Sequence, residues 1–387
     1  MRPLVALALA GLLLAGCGGD AAAPAGSASA TAAGATAGAS PTPVAGPGIP
    51  LLATKNTTRV DGADAIADAA GVAEAVFPEA KPQVVVLADV YDWRAGIAAS
   101  VLAGAPLHAP VLFASGDTIP PATQAALDQL TPTGAKALGG AQIIRVGSKA
   151  PVPGYRTFDV AGATPAALAA ALDHLRTELD GNVAATDVVV ASADAPEYAM
   201  PAAGWAAKSG DPILWVTQSA IPPETITALQ QHRAAHIYVL GPATAVADGV
   251  VAKLGAYGSV KRIAGSDPIA TAITFARYSD GHFGWNVVNP GHGLVFASTR
   301  RPQDAAAAAA LSASGTYGPL LLLTDAGVLP QPLQSYLLDI EPGYDTDPVL
   351  GVYNHGWIVG DERAIAQAVQ ARIDTLLEIQ PVETGAK

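Results

Sequence analysis

RIAGSDPIATA, residues 262–272, has a counterpart near the start of the chain, RVDGADAIADA at residues 59–69. Sliding one onto the other pairs Arg59 with Arg262, Val60 with Ile263, Gly62 with Gly265, Asp64 with Asp267 and Ile66 with Ile269. Between them, DVAGATPAA at 159–167 fits the same template through Val160, Gly162, Thr164 and Pro165. The chain therefore reads as one unit repeated three times with a period of roughly 100 residues. Each copy has the makings of a strand-to-helix junction. Asp64, Thr164 and Asp267 stand where a side-chain oxygen caps the first turn of a helix. Pro165 and Pro268 suit the first helical position, and Gly62, Gly162 and Gly265 are expected to let the chain turn out of the preceding strand.

Other landmarks keep the same order. The branched apolar runs VVVLA (84–88), VVVA (188–191) and LVFA (294–297) are each followed by an Ala-rich segment. A second apolar run then begins at Pro110, Pro212 or Pro319, and a Pro-led helix start follows at Pro120-Pro121, Pro222-Pro223 or Pro330. The runs are continuous rather than alternating, which suits parallel strands covered on both faces. The expected fold is α/β: three tandem Rossmann-like modules, each a small parallel sheet covered by helices.

The pattern TRxxGxD…A, a buried strand, an Ala-rich segment, a Pro-led strand and helix, and a YVLG-type strand resembles the cell wall binding repeat 2 family of bacterial surface proteins. The second module carries it most fully, in DVVVASADAPEYAMPAAGWAAKSGDPILWVTQSAIPPETITALQQHRAAHIYVLGPATAVADGVVAKL followed by VKRIAGSDPIATA. On this resemblance, repeats fall at 53–156, 157–259 and 260–380, with a tail at 381–387. The resemblance implies a pseudo-trimer of modules within one chain and noncovalent attachment to cell-wall polymers. Two departures stand out. The first repeat ends in GGAQIIRVGSKAPVPGYRTF instead of a clean YVLG strand, and the third carries the insertion EPGYDTDPVLGVYNHG at 341–356.

The chain opens with MRPLVALALAGLLLAGC, one Arg and a short apolar run ahead of Leu14-Ala15-Gly16-Cys17. This reads as an export signal over residues 1–17, too brief for an ordinary membrane span. Its end resembles the bacterial lipobox, which makes Cys17, the single cysteine, the expected lipid attachment site and membrane anchor. Residues 18–52, dominated by Ala, Gly, Ser, Thr and Pro, are expected to form a flexible tether. An exported protein held on the cell membrane and facing the wall follows from these expectations. The net charge of −12, with no basic run, argues against a nucleic-acid partner.

Signatures of catalysis are missing: there is no G-x-S-x-G elbow, P-loop or complete G-x-G-x-x-G. No catalytic residue, cofactor or metal is assigned. His232 and His236 are four apart, but His236 leads into the strand IYVL, and His282 and His292 flank a loop with no carboxylate or Cys at ligand spacing. Open parallel sheets bind ligands beyond the carboxyl ends of their strands. The loops there are DVYDWR (89–94), SADAPEY (192–198) and STRRPQD (298–304). Trp93 suits stacking on a sugar, and Arg94, Arg300 and Arg301 suit phosphate or carboxylate. The alternative is that Trp93 fills a module interface and the arginines pair with surplus acids. The leading reading is a noncatalytic, lipid-anchored envelope protein that binds wall or surface polysaccharide. A small-solute receptor and an envelope hydrolase are the alternatives.

Overall fold

The computed structural model describes residues 43–44 and 51–382, apart from 234 and 315–317. The expected signal, Cys17, most of the tether and the end of the tail lie outside the described residues. The described residues begin with β1 (Pro43–Val44), β2 (Leu51–Ala53), β3 (Thr57–Val60), α1 (Ala65–Val76), β4 (Val85–Asp89), α2 (Trp93–Ala99), β5 (Val111–Ala114), α3 (Pro121–Leu130) and β6 (Ile143–Val146). It continues through β7 (Thr157–Val160), α4 (Pro165–Leu179), β8 (Asp187–Ser192), α5 (Pro196–Ser209), β9 (Ile213–Val216), α6 (Pro223–Gln231), β10 (Ala235–Leu240) and α7 (Asp248–Leu254). The last part comprises β11 (Gly258–Ile263), α8 (Pro268–Arg277), β12 (Gly293–Ser298), α9 (Asp304–Ala313), β13 (Leu320–Leu323), α10 (Gln331–Asp339), β14 (Gly343–Tyr344), β15 (His355–Val359), α11 (Gln367–Leu376) and β16 (Gln380–Pro381).

Parallel strands in one common order make up three small sheets: β5-β4-β6-β7, β9-β8-β10-β11 and β13-β12-β15-β3. Strands β5, β8, β9 and β13 are buried along their whole length, which is why they read as unbroken apolar runs. The fourth strand of each sheet is the one that opens a repeat in the sequence. Ile143 of β6 faces Thr157, Ala235 of β10 faces Gly258, and Gly356 of β15 faces Thr57. The repeat boundary at 157 thus separates β7 from the sheet it completes, and the one at 260 falls inside β11.

The third sheet is longer than the others. β2 adds antiparallel to β3, with Leu51 opposite Val60, and β1 adds to β2. The end of the segment expected to be tether, Leu51 and Leu52, is therefore strand. β-Branched Thr57, Thr58 and Val60 of β3 favour the pairing there.

The three junctions share one geometry. Asp64 Oδ1 accepts from the amides of Ile66 and Ala67, Thr164 Oγ1 from Ala167, and Asp267 Oδ1 from Ala270. Pro165 and Pro268 occupy first-turn positions. The glycines serve close approach rather than a turn. A Cβ on Gly62 would lie 2.4 Å from the Asp68 nitrogen, on Gly162 2.2 Å from the Leu168 nitrogen, and on Gly265 2.4 Å from the Ala270 carbonyl carbon. None of the three has positive φ, so the expected tight turn is corrected to backbone stacked against the first helical turn.

An arginine staple holds the fourth strand to the third. Arg59, fully buried, donates to the Gln370 side chain at 2.7 Å, to the Gly360 carbonyl at 2.5 Å and to the Ile365 carbonyl at 2.7 Å. Arg262 makes the matching contacts with the carbonyls of Gly241 at 2.7 Å and Val246 at 2.8 Å. In the first sheet the charge sits on the third strand instead. Arg145 grips Asp159 of β7 through two 2.7 Å bonds and reaches the Ala150 carbonyl at 3.2 Å. The irregular end of the first repeat is thus a different wiring of the same clamp.

Helices α2, α5 and α9 pack on one another, and each is made largely of Ala and Gly. Small side chains allow the close approach: a Cβ on Gly204 of α5 would fall 2.7 Å from Ser312 Oγ of α9. Helix α1 packs on α9, α4 on α2, and α8 on α5, so each junction helix also touches a central helix from elsewhere in the chain.

Candidate functional site

All three loops that follow β4, β8 and β12 carry a polar anchor at the strand end. Asp89 Oδ1 accepts from the amides of Tyr91 and Gly116, at 3.1 and 3.3 Å. Ser192 Oγ accepts from the Asp194 amide at 3.2 Å, and Asp194 in turn accepts from the Gln218 amide. Ser298 Oγ accepts from the Arg300 amide at 3.3 Å. Small polar side chains here bond their own backbone two residues on and shape each loop without regular structure.

These loops also meet one another. Arg94 Nε donates to the Ala193 carbonyl at 2.7 Å, joining the first loop to the second. Gln303 Nε2 donates to the Val90 carbonyl at 2.9 Å, joining the third to the first. Trp93 meets Trp215 of β9 edge-on at 5.5 Å, and the Arg94 guanidinium lies 4.5 Å over the Trp93 ring. Trp93 and Arg94 therefore sit at the seam between the first and second sheets, which is the interface alternative for Trp93. Aromatic faces capped by a guanidinium add attraction as well as buried area.

Arg301 is held inside the fold. Its Nη1 reaches Asp68 at 3.2 Å, its Nη2 reaches Asp361 at 2.7 Å, and both nitrogens lie near the carbonyls of Gly62 and Ala63. Arg363 closes on the other oxygen of Asp361 at 2.6 Å and on the Ala63 carbonyl at 2.8 Å. Beside this cluster Asp304 is fully buried, and neither of its carboxylate oxygens has a hydrogen-bond partner among the described residues. Burial drives the Asp304 carboxyl upward, against the pull of Arg301. Burial, and then Asp304 itself, drive Asp68 upward in the same way. Both acids are thus pushed toward the neutral form, while Asp361, bonded by two guanidiniums, is held below the usual carboxylate range despite its partial burial.

Arg300 differs from the other arginines named from sequence. Its side chain is 65% exposed, with Asp325 at 4.0 Å as its only ion-pair neighbour among the described residues. Tyr91, 75% exposed, projects from the first loop with its hydroxyl 3.2 Å from Ser115 Oγ. It lies within DVYDWR, but nothing in the sequence distinguished it from Trp93 beside it. Among the described residues, a hollow of about 410 Å³ sits over Arg59 and α11, and one of about 380 Å³ lies in the 341–356 insertion; neither is lined by these loops.

His232 and His236 do not share a helix. His232 ends α6, where its Nε2 meets Asp173 at 2.8 Å and its Nδ1 meets the Ala185 carbonyl at 2.8 Å. His236 stands in β10, with Nδ1 3.0 Å from Asp187 Oδ1. His282 also approaches Asp187 Oδ1, at 3.4 Å, a neighbour outside any local ligand spacing. The partner lies far away in the chain, at the start of β8, where no spacing rule would reveal it. The 341–356 insertion forms β14 and a short 3-10 turn that exposes Val349 and Leu350.

Residues 262–370 match the family model described as Cell wall binding domain 2 (CWB2). No curated protein matches the sequence. Among solved structures, the fold is similar to Cwp8 from Clostridium difficile, with 17% identity and a TM-score of 0.64 over 84% of this chain and 52% of that one. It is likewise similar to Cwp6 from Clostridium difficile, with 16% identity and a TM-score of 0.65 over 87% of this chain and 50% of that one. The chain spans about half the length of each, and at these identities the likeness is one of fold.

Proposed function

We propose that the protein is a noncatalytic, lipid-anchored envelope protein whose three sheet units act as a pseudo-trimer and bind cell-wall or surface polysaccharide. The observation that carries this reading is the match of residues 262–370 to a wall-binding family model. That segment includes β12, the loop with Arg300 and Arg301, and the clamp around Asp361.

The convergence of the three loops supports a binding face drawn from all three units. Adjoining loops from three units suit a polymer, which is gripped along its length at several points, whereas a small solute calls for a closed pocket. Tyr91 offers a ring for a sugar, and Arg300 offers an exposed cation for an acidic substituent. Cys17, read from sequence as the lipid site, would tie the membrane to the wall through residues 18–50.

Cosedimentation of the chain with purified walls tests the reading. Saturable binding that disappears when secondary polysaccharides are stripped from the walls is the expected result. Absence of binding to intact walls removes wall attachment and turns the search to small solutes.

A further inference from the structure

The segment between α8 and β12 belongs to the third repeat in sequence but docks on the second sheet. Phe283 stacks flat on Tyr238 of β10, with ring centroids 3.6 Å apart, and Trp285 meets Trp205 of α5 at 5.4 Å. Asp280 accepts from the Tyr238 hydroxyl at 2.8 Å and from Lys261 at 2.7 Å. These contacts carry His282 to the amino ends of β8 and β10.

There, three potential ligands converge. Asp187, the first residue of β8, is nearly buried, with its side chain 11% exposed. Its Oδ1 lies 3.0 Å from His236 Nδ1 and 3.4 Å from His282 Nδ1, and one ligand atom from each residue falls within 4.8 Å of the others. The two imidazoles lie 4.8 Å apart, tilted by 32°, and are about half exposed, so their outer side is open to water. A tetrahedral zinc ion with ligands at about 2.1 Å holds them about 3.4 Å from one another, close to the two separations from Asp187, while half-exposed imidazoles leave room for the rings to close on the ion.

We propose that Asp187, His236 and His282 form a binding site for a divalent cation of the zinc class, with water in the fourth position. Two imidazole nitrogens and one carboxylate favour zinc, cobalt, nickel or copper over magnesium or calcium, which prefer oxygen-only shells. The surroundings resemble what such sites need. Thr186 Oγ1 donates to the other Asp187 oxygen at 3.2 Å, and Asp280 Oδ1 lies 3.9 Å from His282 Nε2, so a second carboxylate stands near the ring. The ion would clip a segment of the third repeat to two strands of the second sheet and so stabilise the contact between repeats.

The test uses the full chain, produced without a histidine tag and stripped of metal by chelation. Cobalt(II) titration followed by visible absorption, and zinc titration by calorimetry, are expected to show one equivalent bound. Zinc should raise the thermal unfolding midpoint, and magnesium should not. His282→Ala and His236→Ala, both at half-exposed positions, should weaken zinc binding about tenfold or more while the far-UV spectrum stays unchanged. The proposal fails if the chain takes up neither zinc nor cobalt. It fails equally if both single variants bind zinc as the parent does, which would put any bound metal elsewhere.

Discussion

Arg59 Nη2 donates to the carbonyl of Ile365 at 2.7 Å across 306 residues of sequence. This bond closes the chain on itself, because β3 completes the sheet whose other strands come from the far end. Arg59 is fully buried, and its three partners sit in the same enclosure. Arg59→Ala leaves those acceptors without a donor, and we expect a loss of about 3 kcal/mol in urea unfolding. Arg262→Ala should lose less, because the Arg262 side chain is 21% exposed and water reaches its partners. Equal losses at the two positions would contradict the closure argument.

The junction glycines give a second expectation. Alanine at Gly62, Gly162 or Gly265 puts a Cβ within 2.4 Å of helix backbone, which cannot swing aside as a side-chain tip can. Each substitution should destabilise by roughly 1–3 kcal/mol. Gly249, in the first turn of α7, has nothing within 4 Å of an added Cβ. Gly249→Ala should raise stability by up to about 1 kcal/mol. Unfolding midpoints of the four variants decide the matter, and a neutral Gly162→Ala would refute the close-approach reading.

Asp304 and Asp68 make stability depend on pH. Burial raises both above the ordinary carboxylate value, so in the folded state they hold protons that the unfolded chain has released. Where the folded state binds more protons, stability falls as pH rises; the contribution is complete below about pH 4 and declines above it. Asp304→Asn keeps the shape and removes one of the two titrations. Urea unfolding at about pH 5 and about pH 8 should show a smaller drop for the variant than for the parent. An unchanged drop would mean that Asp304 is ionised in the folded protein.

How far the sequence revealed the molecule varies with distance along the chain. The caps at Asp64, Thr164 and Asp267 were legible because cap and helix are neighbours, and the parallel sheets because strands buried on both faces leave unbroken apolar runs. The partner of β3 was not legible, since pairing with β15 depends on a closure that no local pattern records. At the candidate face, residue types did not reveal which side chains are buried in contacts and which are exposed. Trp93 and Arg94 face the seam and Arg301 is spent on Asp68 and Asp361, whereas Arg300 and Tyr91 point outward. For His282 no ligand spacing was visible in the sequence, because Asp187 lies at the start of another strand.

Binding of wall polysaccharide released in soluble form, by the parent chain and by the double variant Tyr91→Ala, Arg300→Ala, measures the central claim most directly. Both side chains are exposed, so the unfolding midpoint should not move. The account predicts saturable binding by the parent and about tenfold weaker binding by the variant, the loss expected from about 1.4 kcal/mol of lost contacts. Equal affinity for parent and variant, or no binding by either, would contradict it.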